Sequence, residues 1–321
     1  MAWDRKNAMQ TFTEVPELSL RDFTHGDAAA RADFVAALYE GFRYFGFIIL
    51  RDHGISEDLL DRAYIASAEF FSQPMEEKMR CDSGLGGQRG YTRTGREQAV
   101  GGKAPDLKEF WHIGQEPAEY SDMRGVYQPN FWPDHPENFK EVFLTLYKAL
   151  EEAGQVMLEA LAPSLEVDTE YFRAMTFEGN SILRLLHYPP VPDDADPDAV
   201  RAAAHEDINL ITILVAASSS GLELLDRNGE WLPVEGSKNA LIVDAGDMLA
   251  RITNNHIPAT THRVVNPDGP NVSRYSMPFF LHPRPEAQLS CLPQFRDGNE
   301  MPDITADEFL QQRLEAIGLK K

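Results

Sequence analysis

The sequence predicts an α+β chain with a mainly β core: a first half that is mostly helical, then a run of short strands folded as a sandwich or jelly roll. Two textures carry that expectation. Up to about residue 161, apolar side chains recur three and four apart, the spacing of a helix face. From about 181 the chain breaks into eight short segments: SILRLLHY, NLITILVAAS, GLELLD, EWLPVE, NALIVD, MLARIT, THRVVN and SRYSMPFFL. They are rich in Val, Ile, Thr and aromatics and are separated by Gly, Pro, Asn and Asp, as strands and turns are.

In chain order, DAAARADFVAALYEGFRYFG places Phe34, Leu38 and Phe42 on one helix face. FGFIIL, residues 45 to 50, is a short apolar run that suits a buried strand. In ISEDLLDRAYIASAEFF a second helix follows, with Ser56 as its N-cap. CDSGLGGQRGYTRTGREQAVGGKAPD has neither period and reads as a loop, and a long helix covers roughly 136 to 161. PPVPDDADPDA, 189 to 199, is a Pro-rich loop, and RNGE suits a tight hairpin between GLELLD and EWLPVE. TADEFLQQRLEAIGLKK reads as a C-terminal helix able to cover one end of a barrel.

Composition narrows the partners. The chain has 321 residues, 43% of them hydrophobic and 10% aromatic, enough for a substantial core. A net charge of -21 repels phosphate backbones and anionic headgroups, so neither nucleic acid nor a membrane surface is expected. A local basic pocket can still draw in an anionic small molecule. Two cysteines, Cys81 and Cys291, are too few for a disulfide framework, and MAWDRKNAMQTFTEV lacks an apolar leader segment. The expectation is a cytoplasmic protein, monomeric or weakly self-associating.

HEDINLITILV, residues 205 to 215, decides the chemistry. A zinc-protease helix would need a second His at its fifth position, where Asn209 stands. Read as a strand, the same letters put His205 and Asp207 on one side, because side chains two apart face the same way. A third ligand is then required, and His262 in TTHRVVN supplies one from another predicted strand. Two imidazoles and a carboxylate on one face of an octahedron leave three positions open, the arrangement of non-haem Fe(II) oxygenases. Further on, RYSMPFF projects Arg274 and Ser276 together, a planar fork beside a hydroxyl that suits a carboxylate. Tyr188 in LRLLHYPP can add another hydrogen bond.

These residues, taken in order, resemble a family. RLLHYP, HED, GDMLARITNNHIPATTHRVVNP and RYSMPFF look like the isopenicillin N synthase-like group of Fe(II)- and 2-oxoglutarate-dependent oxygenases. FGFIILRDHGI, EFFSQPMEEK, GY at 90 to 91 and DLKEFWHIG match its N-terminal region in the same order. The resemblance implies a single structural unit over 1-321, with an N-terminal helical and strand region at 16-130 and a double-stranded β-helix (jelly-roll) core at 178-284. It implies His205, Asp207 and His262 as iron ligands. Arg274, Ser276 and Tyr188 match the grip on the 2-oxoglutarate carboxylate. The implied reaction consumes dioxygen and 2-oxoglutarate, releases succinate and carbon dioxide, and oxidises a C-H bond of a small molecule by hydroxylation, desaturation or cyclisation. Some members carry Asn two residues before this Tyr as a further co-substrate contact; here the position is Leu186.

Other readings stand beside this one. A related oxidase or cyclase would use dioxygen without a keto acid, a zinc hydrolase would need no dioxygen, and a non-catalytic barrel would turn nothing over. Arg89, Arg93 and Arg96 form either a solvated run or a clamp for an anionic group of the substrate. Asp244 and Asp247 read as turn chemistry, Glu206 and His187 point away from the proposed site, and His53, His112, His135 and His256 default to structural roles.

Overall fold

The computed structural model describes residues 14–84, 88–96, 106–196, 199–215, 220–237, 239–266 and 269–316. The front region runs β1 (Glu17–Ser19), α1 (Leu20–His25), α2 (Ala28–Phe45), β2 (Phe47–Arg51), α3 (Glu57–Phe71), α4 (Met75–Met79), β3 (Gly90–Thr92), β4 (Glu109–Gly114), α5 (Phe139–Leu161) and α6 (Glu170–Thr176). Then come β5 (Ile182–Tyr188), β6 (Ala202–His205), β7 (Ile211–Val215), β8 (Leu222–Leu225), β9 (Trp231–Pro233), β10 (Leu241–Ala245), α7 (Asp247–Ile252), β11 (His262–Val264), β12 (Arg274–Leu281) and α8 (Ala306–Ala316).

The strands form an eight-stranded sheet, ordered β1-β2-β10-β7-β12-β5-β4-β3, and a four-stranded sheet, ordered β6-β11-β8-β9. From β5 onward the chain passes back and forth between the two sheets, which winds it into the double-stranded β-helix, the jelly roll that was expected. Front-region strands β1 to β4 extend the large sheet at both edges.

Alternation along the strands gives that sheet two apolar faces. Phe110, Leu186, Tyr188 and Ile242 turn inward and meet Ala202, Leu222, Leu224 and Val264 of the small sheet. On the other face Leu183, Leu185, Ile213 and Phe279 pack against α2, α3 and α5 through Phe42, Phe70, Phe143 and Leu150. Helix α5 can lie this close because its apolar residues recur at three and four and because Gly154 faces the sheet. A Cβ there would come within 2.9 Å of Ile213 and Leu281. The helix starts match the sequence as well: Ser56 Oγ accepts from the Leu59 N–H at 3.2 Å and caps α3.

Three local expectations are corrected. HEDINLITILV is not one strand: β6 ends at His205, β7 begins at Ile211, and residues 206–210 cross from the small sheet to the large one. Its apolar letters resume directly after Asn209, so periodicity carried no sign of the crossing. MLARIT is not a strand but lies largely in α7. The Asp207, Ile208 and Asn209 carbonyls accept from the Asp247 and Met248 N–H groups and draw this segment off the sheet. A six-residue segment with apolar residues on both sides of Arg251 fits either state. Lastly, the stretch read as loop contains β3, whose Tyr91 pairs with Trp111.

Candidate metal and co-substrate site

His205 closes β6, His262 opens β11, and the two are direct partners in the small sheet, their rings 4.4 Å apart. Asp207 enters from the crossing segment. Its Oδ1 lies 3.7 Å from His205 Nε2 and 4.0 Å from His262 Nε2, and all three donor atoms fall within 4.8 Å of one another. Two donors each about 2.1 Å from one ion sit at most about 4.2 Å apart, so both carboxylate spacings fit a shared ion.

The surroundings aim these atoms. His205 Nδ1 lies 2.8 Å from the Ala203 carbonyl and His262 Nδ1 3.1 Å from the Thr260 carbonyl. A carbonyl only accepts, so Nδ1 carries the proton in both rings and Nε2 offers a lone pair toward the triad. Thr212 donates its hydroxyl to Asp207 Oδ2, and Asn209 Nδ2 holds Thr212 Oγ1 at 2.9 Å. The barrel walls and the neighbouring His262 ring push His205 down to about 4, although its side chain keeps 39% of its surface open. Burial works to raise the Asp207 carboxyl, but the two imidazoles and the Thr212 hydroxyl outweigh it and hold it low. Neutral imidazoles and an ionised carboxylate are the forms a metal takes.

Behind the triad, Arg274 and Tyr188 face each other across β12 and β5, and Ser276 faces Leu186. Arg274, Ser276 and Tyr188 are 1%, 3% and 2% exposed, with the guanidinium 5.1 Å from the Tyr188 ring centre. Burial disfavours the Arg274 charge, which makes an incoming carboxylate a suitable counter-ion.

The sequence reading missed Arg184. It shares the inward face of β5 with Leu186 and Tyr188, a relation visible in the alternation of LRLLHY. Its guanidinium lies 4.6 Å from the Phe110 ring centre and 5.4 Å from that of Phe280, and Nε donates to His112 Nε2. Its charge is among those that help hold the Asp207 carboxyl low.

Arg89 is neither solvated nor grouped with the other two. It is 3% exposed, donates to the Gln128 and Gln88 carbonyls, and packs against Gly114. Gly114 pairs with Ile182, about 20 Å along β5 from Tyr188. Arg93 and Arg96 are exposed beyond β3, and residues 85–87 and 97–105 of their loop lie outside the described residues. Glu206 is exposed and accepts from Thr261. His187 turns away from the triad as expected, and its Nδ1 meets Glu109 Oε1 at 2.7 Å. Lys78 Nζ reaches both Glu109 oxygens at 3.0 and 2.8 Å, and Tyr91 donates to Oε2. EEK, GY and DLKE, far apart in sequence, thus meet in one buried ion cluster beside the Tyr188 end of β5. Asp244 is no turn residue; it lies within β10, and burial raises its carboxyl far above the usual range.

A double-stranded β-helix with two imidazoles and a carboxylate converging beside a buried guanidinium defines a non-haem metal barrel. The 2OG-Fe(II) oxygenase superfamily model matches residues 179–283, and the model for the N-terminal region of the non-haem dioxygenase in morphine synthesis matches residues 15–135. A 2-oxoglutarate-Fe(II) type oxidoreductase, hxnY of Emericella nidulans, is 35% identical over 312 residues, covering 93% of this chain and 89% of that protein. Among solved structures, a 2OG-Fe(II) oxygenase family protein from Caulobacter crescentus is similar with a TM-score of 0.85 and 40% identity, over 94% of this chain and 98% of that one. A full-length Neurospora crassa protein, solved in complex with alpha-KG and thymine, is similar with a TM-score of 0.84 and 30% identity, over 94% and 96%. The chain belongs to the Fe(II)- and 2-oxoglutarate-dependent oxygenases, enzymes of the isopenicillin N synthase-like group that take dioxygen as co-substrate. Among the described residues, no helix is long and apolar enough to cross a membrane.

Proposed function

We propose that His205, Asp207 and His262 hold Fe(II), and that Arg274, Ser276 and Tyr188 seat the far carboxylate of 2-oxoglutarate, in an enzyme that hydroxylates, desaturates or cyclises a small molecule. The convergence of three donor atoms within 4.8 Å, with both Nδ1 positions engaged by carbonyls, is the observation that carries this reading. Iron held by these three residues would, with the keto acid and dioxygen, supply the oxidising equivalent, with succinate and carbon dioxide as co-products. The chain supplies geometry. Thr212 and Asn209 fix the carboxylate that ligates, the Ala203 and Thr260 carbonyls fix the two rings, and Arg274 with Ser276 fixes the keto acid's far end. Apolar walls at Phe110, Leu186 and Leu224 exclude water.

Arg184 between Phe110 and Phe280 supports a substrate with an anionic or carbonyl oxygen on a flat body. Thymine in the similar Neurospora protein is such a molecule. Arg93 and Arg96, exposed beyond β3, are further candidates to meet an anionic group. Two free cysteines suit the reducing cytoplasm, where a monomer or weakly associating form would act.

Protein loaded anaerobically with Fe(II) and mixed with 2-oxoglutarate, dioxygen and candidate ring acids is expected to release succinate in step with oxidised product. Asp207→Ala should lose bound iron and turnover together. Full keto-acid-dependent activity in that variant would refute the ligand assignment, and turnover without succinate would favour the oxidase or cyclase reading.

A further inference from the structure

We infer that Arg201 is a second cation of the co-substrate grip, reaching the far carboxylate of the keto acid from the small-sheet side and supplying a donor that Leu186 cannot. The inference rests on the grip proposed above.

Arg201 immediately precedes β6 and is 1% exposed, as is Arg274; with Trp111 they are the three bulkiest fully buried side chains among the described residues. Its terminal nitrogen donates to the Val272 carbonyl at 2.7 Å, two residues before Arg274, so the side chain bridges the starts of β6 and β12. Its Nε is buried and has no hydrogen-bond partner among the described residues. The flanking backbone is pinned: the Val200 carbonyl accepts from Leu107, and the Ala203 N–H donates to Asp106.

Among the described residues, no carboxylate answers the Arg201 charge. The groups acting on it are the like charge of Arg274 and the Tyr188 phenol; those acting on Arg274 include the phenols of Tyr188 and Tyr64. The acid beside the segment, Asp106, is engaged by Lys108 at 2.8 Å. A buried guanidinium that feels a like charge and has no carboxylate of its own calls for an anion. A carboxylate offers about four lone-pair sites, enough for Arg274, Ser276, Tyr188 and Arg201 together. Directly opposite Ser276 on β5, Leu186 offers no donor.

The test compares two keto acids, 2-oxoglutarate and 2-oxobutanoate, which share the metal-binding end and differ in the far carboxylate. Anaerobic calorimetric titration of each into the metal-loaded full chain is done for wild type, Arg201→Met, Arg201→Lys and Arg274→Met, with thermal unfolding of each protein alone and with 2-oxoglutarate. Arg201→Met should bind 2-oxoglutarate 10- to 100-fold more weakly, leave 2-oxobutanoate unchanged, and unfold at a higher temperature without ligand because a bare buried charge is gone. Arg201→Lys should recover part of the preference, and it decides by the same ratio if the Met variant does not fold. Unchanged 2-oxoglutarate affinity, or equal weakening of both acids, overturns the inference. If Arg274→Met loses the preference while the Arg201 variants keep it, the grip stands and Arg201 is outside it. A wild type without any preference overturns both.

Discussion

Arg184 and Arg274 project from β5 and β12 into the same barrel, but their neighbours differ. Arg274 is enclosed at 1% exposure among phenols, whereas Arg184 is half-buried between two phenylalanine rings and closer to Asp207 in electrostatic terms. The enclosed cation suits a ligand that is always the same, and the open one suits a ligand that enters from the mouth. Arg184→Leu is therefore expected to raise the KM for the substrate while leaving the 2-oxoglutarate KM near its wild-type value. A hydrogen bond to a charged group contributes about 1.5–3 kcal/mol, or roughly 10- to 150-fold. Steady-state succinate release with each reactant varied in turn checks it; equal changes in both KM values would remove Arg184 from substrate recognition.

At the scale of elements, the front region serves the metal site as well as the core. Gly46, which ends α2 and precedes β2, has φ +68, and a Cβ there would lie 2.1 Å from Thr260 Oγ1. That hydroxyl donates to the Phe45 carbonyl at 2.8 Å, the Thr260 carbonyl holds His262 Nδ1, and the Phe47 ring meets the His262 ring edge-on at 5.6 Å. Gly46→Ala should push Thr260 away and turn the ligand ring, weakening Fe(II) by about 10- to 100-fold. Left-handed backbone on a side-chain-bearing residue adds about 1–3 kcal/mol of destabilisation. Anaerobic Fe(II) titration beside denaturant unfolding separates the two effects, and wild-type iron affinity in a destabilised variant would break the proposed link. FGFIIL was legible as a buried strand only from Phe47 onward, because Phe45 still belongs to α2 and Gly46 caps it. Its contact with His262 was not, because it depends on which strand lies across the barrel. The Arg274–Ser276 pair was legible from spacing alone, since the two lie in one strand. His205 and Asp207 were found through strand alternation, although a crossing between sheets brings Asp207 to the metal side. The Lys78–Glu109–His187 cluster depends on the β4–β5 register, which no local pattern encodes.

Over the whole molecule, acid stability depends on groups that folding keeps from titrating. His282 follows β12, is 9% exposed, and its own N–H is held by Ser181 Oγ at 3.1 Å. Burial pushes its imidazole down to about 4, with the Asp207 charge pulling weakly the other way. Because the folded value lies below the unfolded value of 6.5, the unfolded chain binds a proton that the native one refuses as pH falls from 6.5 toward 4. Stability is therefore unaffected by this group above pH 6.5 and is lost through that window. The cost reaches roughly 2–3 kcal/mol at pH 4.5. The net charge of -21 works the other way, since protonating carboxylates relieves repulsion in the compact state, but it acts almost equally on a protein that differs at one neutral side chain. His282→Gln should thus lose roughly 2–3 kcal/mol less than wild type between pH 7 and pH 4.5 in urea unfolding of the metal-free proteins. Equal losses in the two would mean that the native imidazole already takes up its proton, through water reaching the end of β12.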